Sequence, residues 1–253
     1  MEKSVFLILK RGILQKGTLA LNILKKKQYK ENNMTNLAQK EILIEVELDE
    51  LLENPWTYFD CNLLVNGKEV RISVDEFAEN PLEWDFNPTL LSLLRRYNIG
   101  VKTIIDKNGE KEFSVPDDFE SIDDIEAFLS KNDYVYKKVY AYIHSNISLA
   151  LEGNCSPLFN CPFDSGVAGF LFASKANIRE WYGVDRITKK LKDKIFHNWN
   201  ILINEVTNWA NGEVYRVEIN GDIYSCYGYS SFEKTLKEYL SNQSLLTSFF
   251  LAN

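Results

Sequence analysis

The chain has 253 residues, of which 45 % are hydrophobic and 26 % charged, and its formal net charge is -7. This length and hydrophobic content allow a sizeable core and exclude a wholly disordered protein. The negative charge argues against a broad basic surface for nucleic acid, and it suits an acidic cytoplasmic protein or one that meets a basic partner.

The first 33 residues are basic and only briefly apolar. They hold eight Lys or Arg against two Glu. The apolar run 5–9 is interrupted at Lys10-Arg11-Gly12, which is too early for a signal-peptide core or a membrane span. Four cysteines without an export signal indicate a reducing compartment. We therefore expect a cytoplasmic protein without membrane insertion, in which residues 1–33 are an extension or a peripheral contact.

The predicted elements begin with strands. Alternating apolar residues over 41–48 predict a half-buried strand. Residues 61–65 and 69–74 flank Asn66-Gly67, a pair that tolerates positive φ, and so predict a hairpin. The next predicted element is a short helix over the leucines at 90–94, which follow Asn87-Pro88-Thr89.

The middle of the chain predicts alternating short elements. Residues 101–106 are typical of a strand, and Asn108-Gly109 of a turn. Ser121 is placed to cap a helix that runs through Leu129 with acidic residues at its amino end. Residues 134–144 predict a long strand with one tyrosine face, which we interpret as packing.

The last third predicts the longest helix. An apolar strand over 167–173 precedes a short helix over 175–182. Apolar residues three or four positions apart then predict a helix from Ile187 to Trp209. A hairpin around Asn220-Gly221 follows, and the chain closes with a helix over 231–250.

These elements predict the fold class and a division of the chain. Strands occur mostly in adjacent hairpins, with helices inserted at intervals. This order favours α+β with an antiparallel or mixed sheet, a long amphipathic helix and a C-terminal helix. We place an N-terminal extension and small β-rich module at 1–79, and the main α+β domain at 80–253.

The residues best suited to chemistry lie around the hexapeptide Cys161-Pro162-Phe163-Asp164-Ser165-Gly166. A Cys or Ser nucleophile needs a nearby base, and His144 is the candidate base. The candidate catalytic residues are therefore His144, Cys161, Asp164 and Ser165, with Ser225-Cys226 as a further pair. The segment lacks the Gly-x-Ser-x-Gly elbow, because Phe163 and Val167 stand where glycines should be. The sequence favours a structural turn over a catalytic one.

Two charged segments are candidate contact surfaces. Residues 106–126 carry nine acids against two lysines, and from them we take as partner-binding candidates Asp117, Asp118, Glu120, Asp123 and Asp124. A basic and aromatic cluster stands at 179–194, which we interpret as a solvated helix face, with a contact to nucleic-acid phosphates as the alternative. The spacing of Cys and His is not typical of a metal site, and no glycine loop cradles a phosphate, so we expect no metal or cofactor.

Seven short motifs occur in an order that resembles an uncharacterised protein family of bacteriophages and mobile elements. The resemblance covers about residues 80–230 and is carried by Asn80-Pro81-Leu82-Glu83-Trp84-Asp85, Arg95-Arg96-Tyr97-Asn98-Ile99-Gly100, His144-Ser145, the 161–166 hexapeptide with Gly169-Phe170, Ala173-Ser174-Lys175, Tyr182-Gly183 and Ser225-Cys226-Tyr227-Gly228. The chain resembles a divergent member, because the family has Trp at the position of Phe163 and Gly at that of Asn146.

The resemblance implies an accessory protein that acts in the host cytoplasm, and it carries no established reaction. We expect a protein that binds and inhibits a host defence complex without catalysis, as anti-CRISPR and antirestriction proteins do. The alternative is a hydrolase that uses Cys161 or Ser165 with His144. Nucleic acid is not expected as the primary ligand, and a homo-oligomer is left open.

Overall fold

Eleven strands and five α-helices make up residues 43–115 and 117–241, which this computed structural model describes. The strands are β1 (Leu43–Glu45), β2 (Asn62–Val65), β3 (Lys68–Val74), β4 (Thr89–Ser92), β5 (Thr103–Ile105), β6 (Glu112–Ser114), β7 (Tyr134–Ile143), β8 (Ile147–Leu151), β9 (Ser165–Ser174), β10 (Val214–Ile219) and β11 (Asp222–Tyr227). The helices are α1 (Leu48–Glu53), α2 (Ile122–Lys131), α3 (Lys175–Tyr182), α4 (Lys189–Ala210) and α5 (Tyr229–Leu240). The predicted α+β class, the long helix and the C-terminal helix are confirmed.

Sheet A has five strands in the order β1-β2-β3-β10-β11. It is mixed, because β1 runs parallel to β2 while the other pairs are antiparallel. Asn66 and Gly67 turn the β2–β3 hairpin with φ of 49° and 78°, which matches the right-handed twist of the strands. The inward side chains of this sheet pack with α1 and α5 around the buried Leu51, Phe232 and Leu236.

Sheet B has four antiparallel strands in the order β4-β9-β7-β8 and is buried on both faces. On one face Leu171 packs with Ile178 of α3 and Trp199 of α4. On the other face Phe170 and Phe172 pack with α2 and with the small β5–β6 hairpin. A strand that is buried on both sides has to be apolar at successive positions, which explains the run predicted over 167–173.

The long helix α4 also protects the free edge of sheet B. Asn211, which follows the helix, accepts a hydrogen bond from the Ile147 N–H at 3.1 Å and donates one to the Ile147 carbonyl at 2.9 Å. Thr207 accepts from the Leu149 N–H at 3.2 Å. These side chains use backbone groups of β8 that an edge strand would otherwise present to another chain.

Two predicted elements differ in the structure, and the predicted end of a third lies outside the described residues. Residues 89–92 form β4 rather than a helix, since this apolar run is buried between β9 and the segment at Val101, and periodicity cannot separate a short buried strand from a helix. The strand predicted over 41–48 is limited in the described residues to β1, and α1 begins at Leu48. The last helix is described from Tyr229 to Leu240, and the remainder of the predicted 231–250 lies outside the described residues.

The described part of the predicted N-terminal module shares sheet A with the C-terminal hairpin. β3 pairs with β10 from Val70 opposite Ile219 to Val74 opposite Tyr215. The boundary expected after residue 79 therefore falls between strands of one sheet, and the described residues from Leu43 onward belong to one compact unit. Local hairpin signals do not reveal this, because they cannot tell which strand a hairpin edge will pair with. The predicted extension 1–33 lies outside the described residues.

Among the helices of residues 43–115 and 117–241, none is both long and apolar enough to cross a membrane.

We expect Glu205→Gln to stabilise the fold at neutral pH. Burial in the packed part of α4 raises the pKa of Glu205 above its ordinary value, so the folded chain favours the protonated carboxyl. That stabilisation is fully present below the ordinary pKa of Glu, about 4.3, and is lost as the pH rises through the raised pKa. Glutamine cannot ionise, so the variant keeps this stabilisation as the pH rises.

Urea unfolding from about pH 4 to about pH 8 measures this difference. The free energy of unfolding of the variant should exceed that of the wild type at the upper end and match it at the lower end. Glu180→Gln, at an exposed position of α3, should change little throughout. A gain for Glu205→Gln that is the same at acidic pH would contradict the ionisation argument.

Candidate functional site

The hexapeptide 161–166 forms a turn that leads from a short 3-10 helix, Pro157–Asn160, into β9. The Ser165 N–H donates to the Cys161 carbonyl at 3.1 Å, which closes the turn. The Ile143 N–H donates to the Asp164 carbonyl at 2.7 Å, which ties the turn to the end of β7. The turn is therefore fixed by backbone hydrogen bonds on both sides.

The candidate catalytic residues meet at the carboxylate of Asp164. His144 Nδ1 lies 3.6 Å from Asp164 Oδ2, and Cys161 Sγ donates to the same oxygen at 3.8 Å. The carboxylate thus faces both the imidazole and the thiol. Among the described residues no hydrogen bond joins His144 to Cys161 or to Ser165, which is the contact that a nucleophile and its base require.

Ser165 uses its hydroxyl within the turn. Its Oγ donates to the Phe159 carbonyl at 2.8 Å and also lies close to the Cys161 carbonyl. A hydroxyl that donates to a main-chain carbonyl holds the preceding 3-10 helix against the strand. This geometry matches the structural interpretation of the Asp-Ser-Gly sequence.

The further pair Ser225-Cys226 lies in β11 of sheet A, whereas the hexapeptide leads into sheet B. The Ser225 hydroxyl donates to Asp75 Oδ2 at 2.6 Å. Cys226 is 1 % exposed and donates to Thr235 Oγ1 at 3.4 Å, and burial raises the pKa of its thiol. A thiol in this environment is a small apolar core group rather than a nucleophile.

No group of three or more His, Cys, Asp or Glu side chains that could hold a metal ion occurs within residues 43–115 and 117–241.

The same turn exposes apolar side chains. Phe163 is 94 % exposed, and Leu158 in the adjoining 3-10 helix is 58 % exposed. Large side chains presented singly are normal on a protein surface. Phe163 on the turn and Leu158 on the preceding 3-10 helix are two such exposed side chains near the candidate residues.

The predicted partner-binding residues form an acidic surface at the amino end of α2. All five are exposed, and they are Asp117, Asp118, Glu120, Asp123 and Asp124. Asp124 forms the capping box of the helix, accepting from the Ser121 N–H at 2.9 Å while Ser121 Oγ accepts from the Asp124 N–H at 3.2 Å. Asp118 accepts from the Ser114 N–H at 2.7 Å. Two of the five carboxylates therefore hold the backbone in place.

The support beneath this acidic surface is aromatic. Phe113, Phe119 and Phe128 form a cluster with ring centroids 4.7 to 6.1 Å apart. Nearby, the Glu110 N–H donates to Asp106 Oδ1 at 2.9 Å, and such backbone donors lower the pKa of Asp106. Asp123 and Asp124 therefore stand on a helix that packs on this cluster, and Asp117, Asp118 and Glu120 lie in the segment that joins β6 to α2.

The sequence did not reveal a cavity that the fold forms beside α3. Its walls come from Trp181 and Tyr182 of α3, Trp199 of α4 and the loop residue Phe86. Trp181 and Tyr182 belong to the basic and aromatic cluster at 179–194 that we interpreted as a solvated face, so the sequence contains a cue to two of the four walls. Phe86 comes from another part of the chain, and only the tertiary structure places it there.

Comparison of the chain with models of protein families, with curated proteins and with solved structures finds no match.

Proposed function

We propose that this chain is an accessory protein of a bacteriophage or mobile element that binds a host defence complex in the host cytoplasm and inhibits it without catalysis. The observation that carries the proposal is the acidic surface Asp117, Asp118, Glu120, Asp123 and Asp124, which is exposed and lies in the first turn of the capped helix α2 and in the segment just before it. The motif resemblance is the reason for proposing a phage or mobile-element protein with a target in the host.

Three carboxylates of the acidic surface are exposed and have no partner within the part of the chain that the structure describes. Asp117, Glu120 and Asp123 make no side-chain hydrogen bond or ion pair within the described residues. Complementary charges across an interface speed encounter and set specificity. Because helix α2 is already ordered, binding of a partner does not include the free-energy cost of ordering it.

Apolar side chains lie in the same region of the chain. Ile122 begins α2 and is 36 % exposed, and Ile105 at the end of β5 is 49 % exposed. Specific interfaces combine an apolar centre with a polar rim. Exposed carboxylates together with isoleucines suit a protein partner that carries a basic surface with an apolar patch.

The geometry around Cys161 favours binding over the hydrolase alternative. The Ser165 hydroxyl donates to a main-chain carbonyl, and Asp164 faces both His144 and Cys161. Neither candidate nucleophile has the imidazole as its hydrogen-bond partner in this arrangement.

Neutralising the free carboxylates should weaken capture of the partner. The test is a pull-down from infected host cells with wild-type protein and with the Asp117→Asn/Glu120→Gln/Asp123→Asn variant. Each exposed ion pair contributes about 0.2–1 kcal/mol, so the triple variant should bind about three- to hundredfold more weakly. Added salt should also weaken capture by the wild type.

The matched control is Glu53→Gln/Asp222→Asn/Glu238→Gln. It removes three exposed carboxylates far along the chain from the acidic surface and changes the net charge equally. This control should recover the same partner as the wild type. Equal losses from both triple variants would contradict the proposed contact surface.

Loss of anti-defence activity in infected cells on His144→Ala, Cys161→Ala or Ser165→Ala, with no stable partner recovered, would reverse the proposal in favour of a hydrolase. Thermal unfolding of each variant separates lost activity from a lost fold. Cys155→Ala serves as the control, because it changes an exposed thiol that is not one of the three groups His144, Cys161 and Asp164.

A further inference from the structure

Three of the four edge strands of sheets A and B are protected within the described residues. The edge of β8 bonds to Thr207 of α4 and to Asn211, which follows that helix. The edge of β4 is covered, because the Ser92 N–H donates to the Val101 carbonyl and the Val101 N–H donates to the Leu90 carbonyl, both at 2.8 Å. β1 has only three residues. Occupied, covered and short edges of this kind limit pairing with another chain.

The fourth edge, that of β11, lacks this protection. β11 has six residues, Asp222–Tyr227, in unbroken register with β10. It contains neither Pro nor Lys, which are residues that commonly block an edge strand. Ile223 is 52 % exposed, and Ser225 is also exposed. The strand is therefore accessible along its middle.

The backbone groups of Ile223 and Ser225 point away from β10. The Gly228 N–H donates to the Glu213 carbonyl at 2.8 Å, so residue 228 belongs to a hydrogen-bonded pair. Such pairs alternate along an antiparallel ladder. The even-numbered residues of β11 therefore bond to β10, and the odd-numbered residues face outward. At Ile223 and Ser225 the outward N–H and carbonyl have no hydrogen-bond partner within the described residues.

Asn208 of α4 supports this direction and marks where the open stretch ends. Its Nδ2 donates to the carbonyl of Tyr227 at 3.1 Å, which is an odd-numbered and hence outward-facing residue of β11. The open stretch thus runs from the β10–β11 turn to Ser225.

Apolar side chains flank the open stretch on both faces of sheet A. Ile223 lies on the face that α5 does not cover. On the other face Tyr224 packs with Tyr239 of α5 at a centroid distance of 4.4 Å, and Tyr239 is 38 % exposed. Asp222 is the only charged residue in the strand. The edge therefore has no charge pattern that would select an acidic or a basic strand, and its apolar flanks favour a strand with similar flanks.

The edge is complementary to a second copy of itself. With a twofold axis through Tyr224, Ile223 of one copy lies opposite Ser225 of the other, and both have outward N–H and carbonyl groups. Each hydrogen-bonded pair exchanges two N–H···O bonds, and the axis makes two such pairs. Tyr224 then lies opposite Tyr224 of the second copy, which forms an aromatic cross-strand pair. A contact of this kind uses the same surface in both copies and closes as a dimer.

Electrostatic repulsion does not oppose this pairing. Asp222 of one copy lies opposite Cys226 of the other, so the two Asp222 carboxylates are about 14 Å apart along the strands. This distance exceeds the Debye length of about 8 Å at physiological ionic strength.

We propose that this protein forms a symmetric homodimer in which the two β11 strands pair antiparallel and join both copies of sheet A into one continuous sheet. The proposal goes beyond the proposed function. It does not depend on the acidic surface, because that surface lies in the segment before α2 and in its first turn, outside sheet A.

Sedimentation velocity of the full chain from about 1 μM to about 1 mM tests the dimer, since a contact between two strands is small and such interfaces are weak. The wild type should shift from monomer to dimer as its concentration rises. Ser225→Pro removes an outward N–H that β10 does not use, and proline is tolerated at such an edge position. It should weaken dimerisation at least about tenfold.

Ser225→Ala is the matched control. Like the proline variant, it loses the hydroxyl that donates to Asp75 Oδ2 at 2.6 Å, but it keeps the N–H and should dimerise as the wild type does. Amide hydrogen exchange gives a second readout at the strand itself. Exchange at Ile223 and Ser225 should slow as the concentration rises, and exchange at Tyr224, which bonds to β10, should change less.

Ile223→Lys decides the question if Ser225→Pro melts well below Ser225→Ala. Its side chain is already half-exposed, so the fold should tolerate lysine, and a charge at an open edge opposes strand pairing. It should weaken dimerisation several-fold.

A wild type that stays monomeric up to about 1 mM would overturn the proposal, and this is the result expected if a strand of another protein or another segment of the chain occupies the edge. A dimer that neither Ser225→Pro nor Ile223→Lys weakens, or that Ser225→Ala weakens as much as they do, would also overturn it.

Discussion

Gly169→Ala is expected to destabilise the fold by about 4 kcal/mol or more, which is at the upper end of single substitutions. Gly169 lies in β9, beside a bulge opposite Val139 and Tyr140, and has φ of 151°. A Cβ atom there would lie 2.0 Å from the Leu91 carbonyl oxygen and 3.2 Å from Ser92 Cα. These are backbone atoms of β4, so they cannot move aside without loss of the β4–β9 pairing.

Gly166→Ala is the matched control in the same strand. A Cβ at Gly166 meets no atom within 4 Å, and its φ lies outside the left-handed range. This variant should be neutral or gain up to about 1 kcal/mol, because alanine loses less backbone entropy on folding than glycine. Urea unfolding monitored by circular dichroism measures both free energies. Similar stabilities for the two variants would contradict the close approach of β4 to β9.

Phe232→Ala should cost about 3–5 kcal/mol through a cavity in the core of sheet A. Phe232 in α5 is 1 % exposed and packs against Tyr215 and Tyr229 at centroid distances of 5.5 and 5.8 Å. A domain is stable by only about 5–15 kcal/mol in total. We therefore expect a large fall in the melting temperature and in the urea midpoint.

Phe163→Ala removes the same atoms from a side chain that is 94 % exposed. It should change the free energy of unfolding by no more than about 0.5 kcal/mol. The pair also tests the packing of α5 on sheet A, because equal effects of the two substitutions would contradict the burial of Phe232. If the two sheets unfold cooperatively, probes placed in sheet A and in sheet B should report the same urea midpoint, and Phe232→Ala should lower it for both.

The candidate site is predictable from the sequence in its parts but not in its contacts. The hexapeptide 161–166 is recognisable as a turn that feeds a strand, because Asp, Ser and Gly are turn formers and an apolar run follows. The Cys161–Asp164 contact is local to the turn, but that Asp164 also faces His144 depends on the pairing of β7 with β9. Sequence spacing carries no information on which of two polar groups a third will meet.

The cavity beside α3 is likewise predictable from the sequence in some of its residues but not in how they come together. The basic and aromatic residues at 179–194 are evident in the sequence, and the helix over 175–182 is predicted in the right place. Phe86 is nearly a hundred positions away, and its φ of 62° reflects tertiary constraint rather than local preference. The acidic surface is simpler, since its residues all lie within positions 117–124 and a capping motif fixes Asp124 among them.

The sequence by itself determined those elements whose cause is local. The Asn66-Gly67 hairpin, the helix capped by Ser121 and the amphipathic helix Lys189–Ala210 all follow from turn preference, capping or periodicity over a few neighbouring residues. Only the tertiary structure decided that residues 89–92 form a strand and that β3 pairs with β10. The physical reason is that a short apolar run lowers its free energy equally well as a strand or a helix until the partner that buries it is in place.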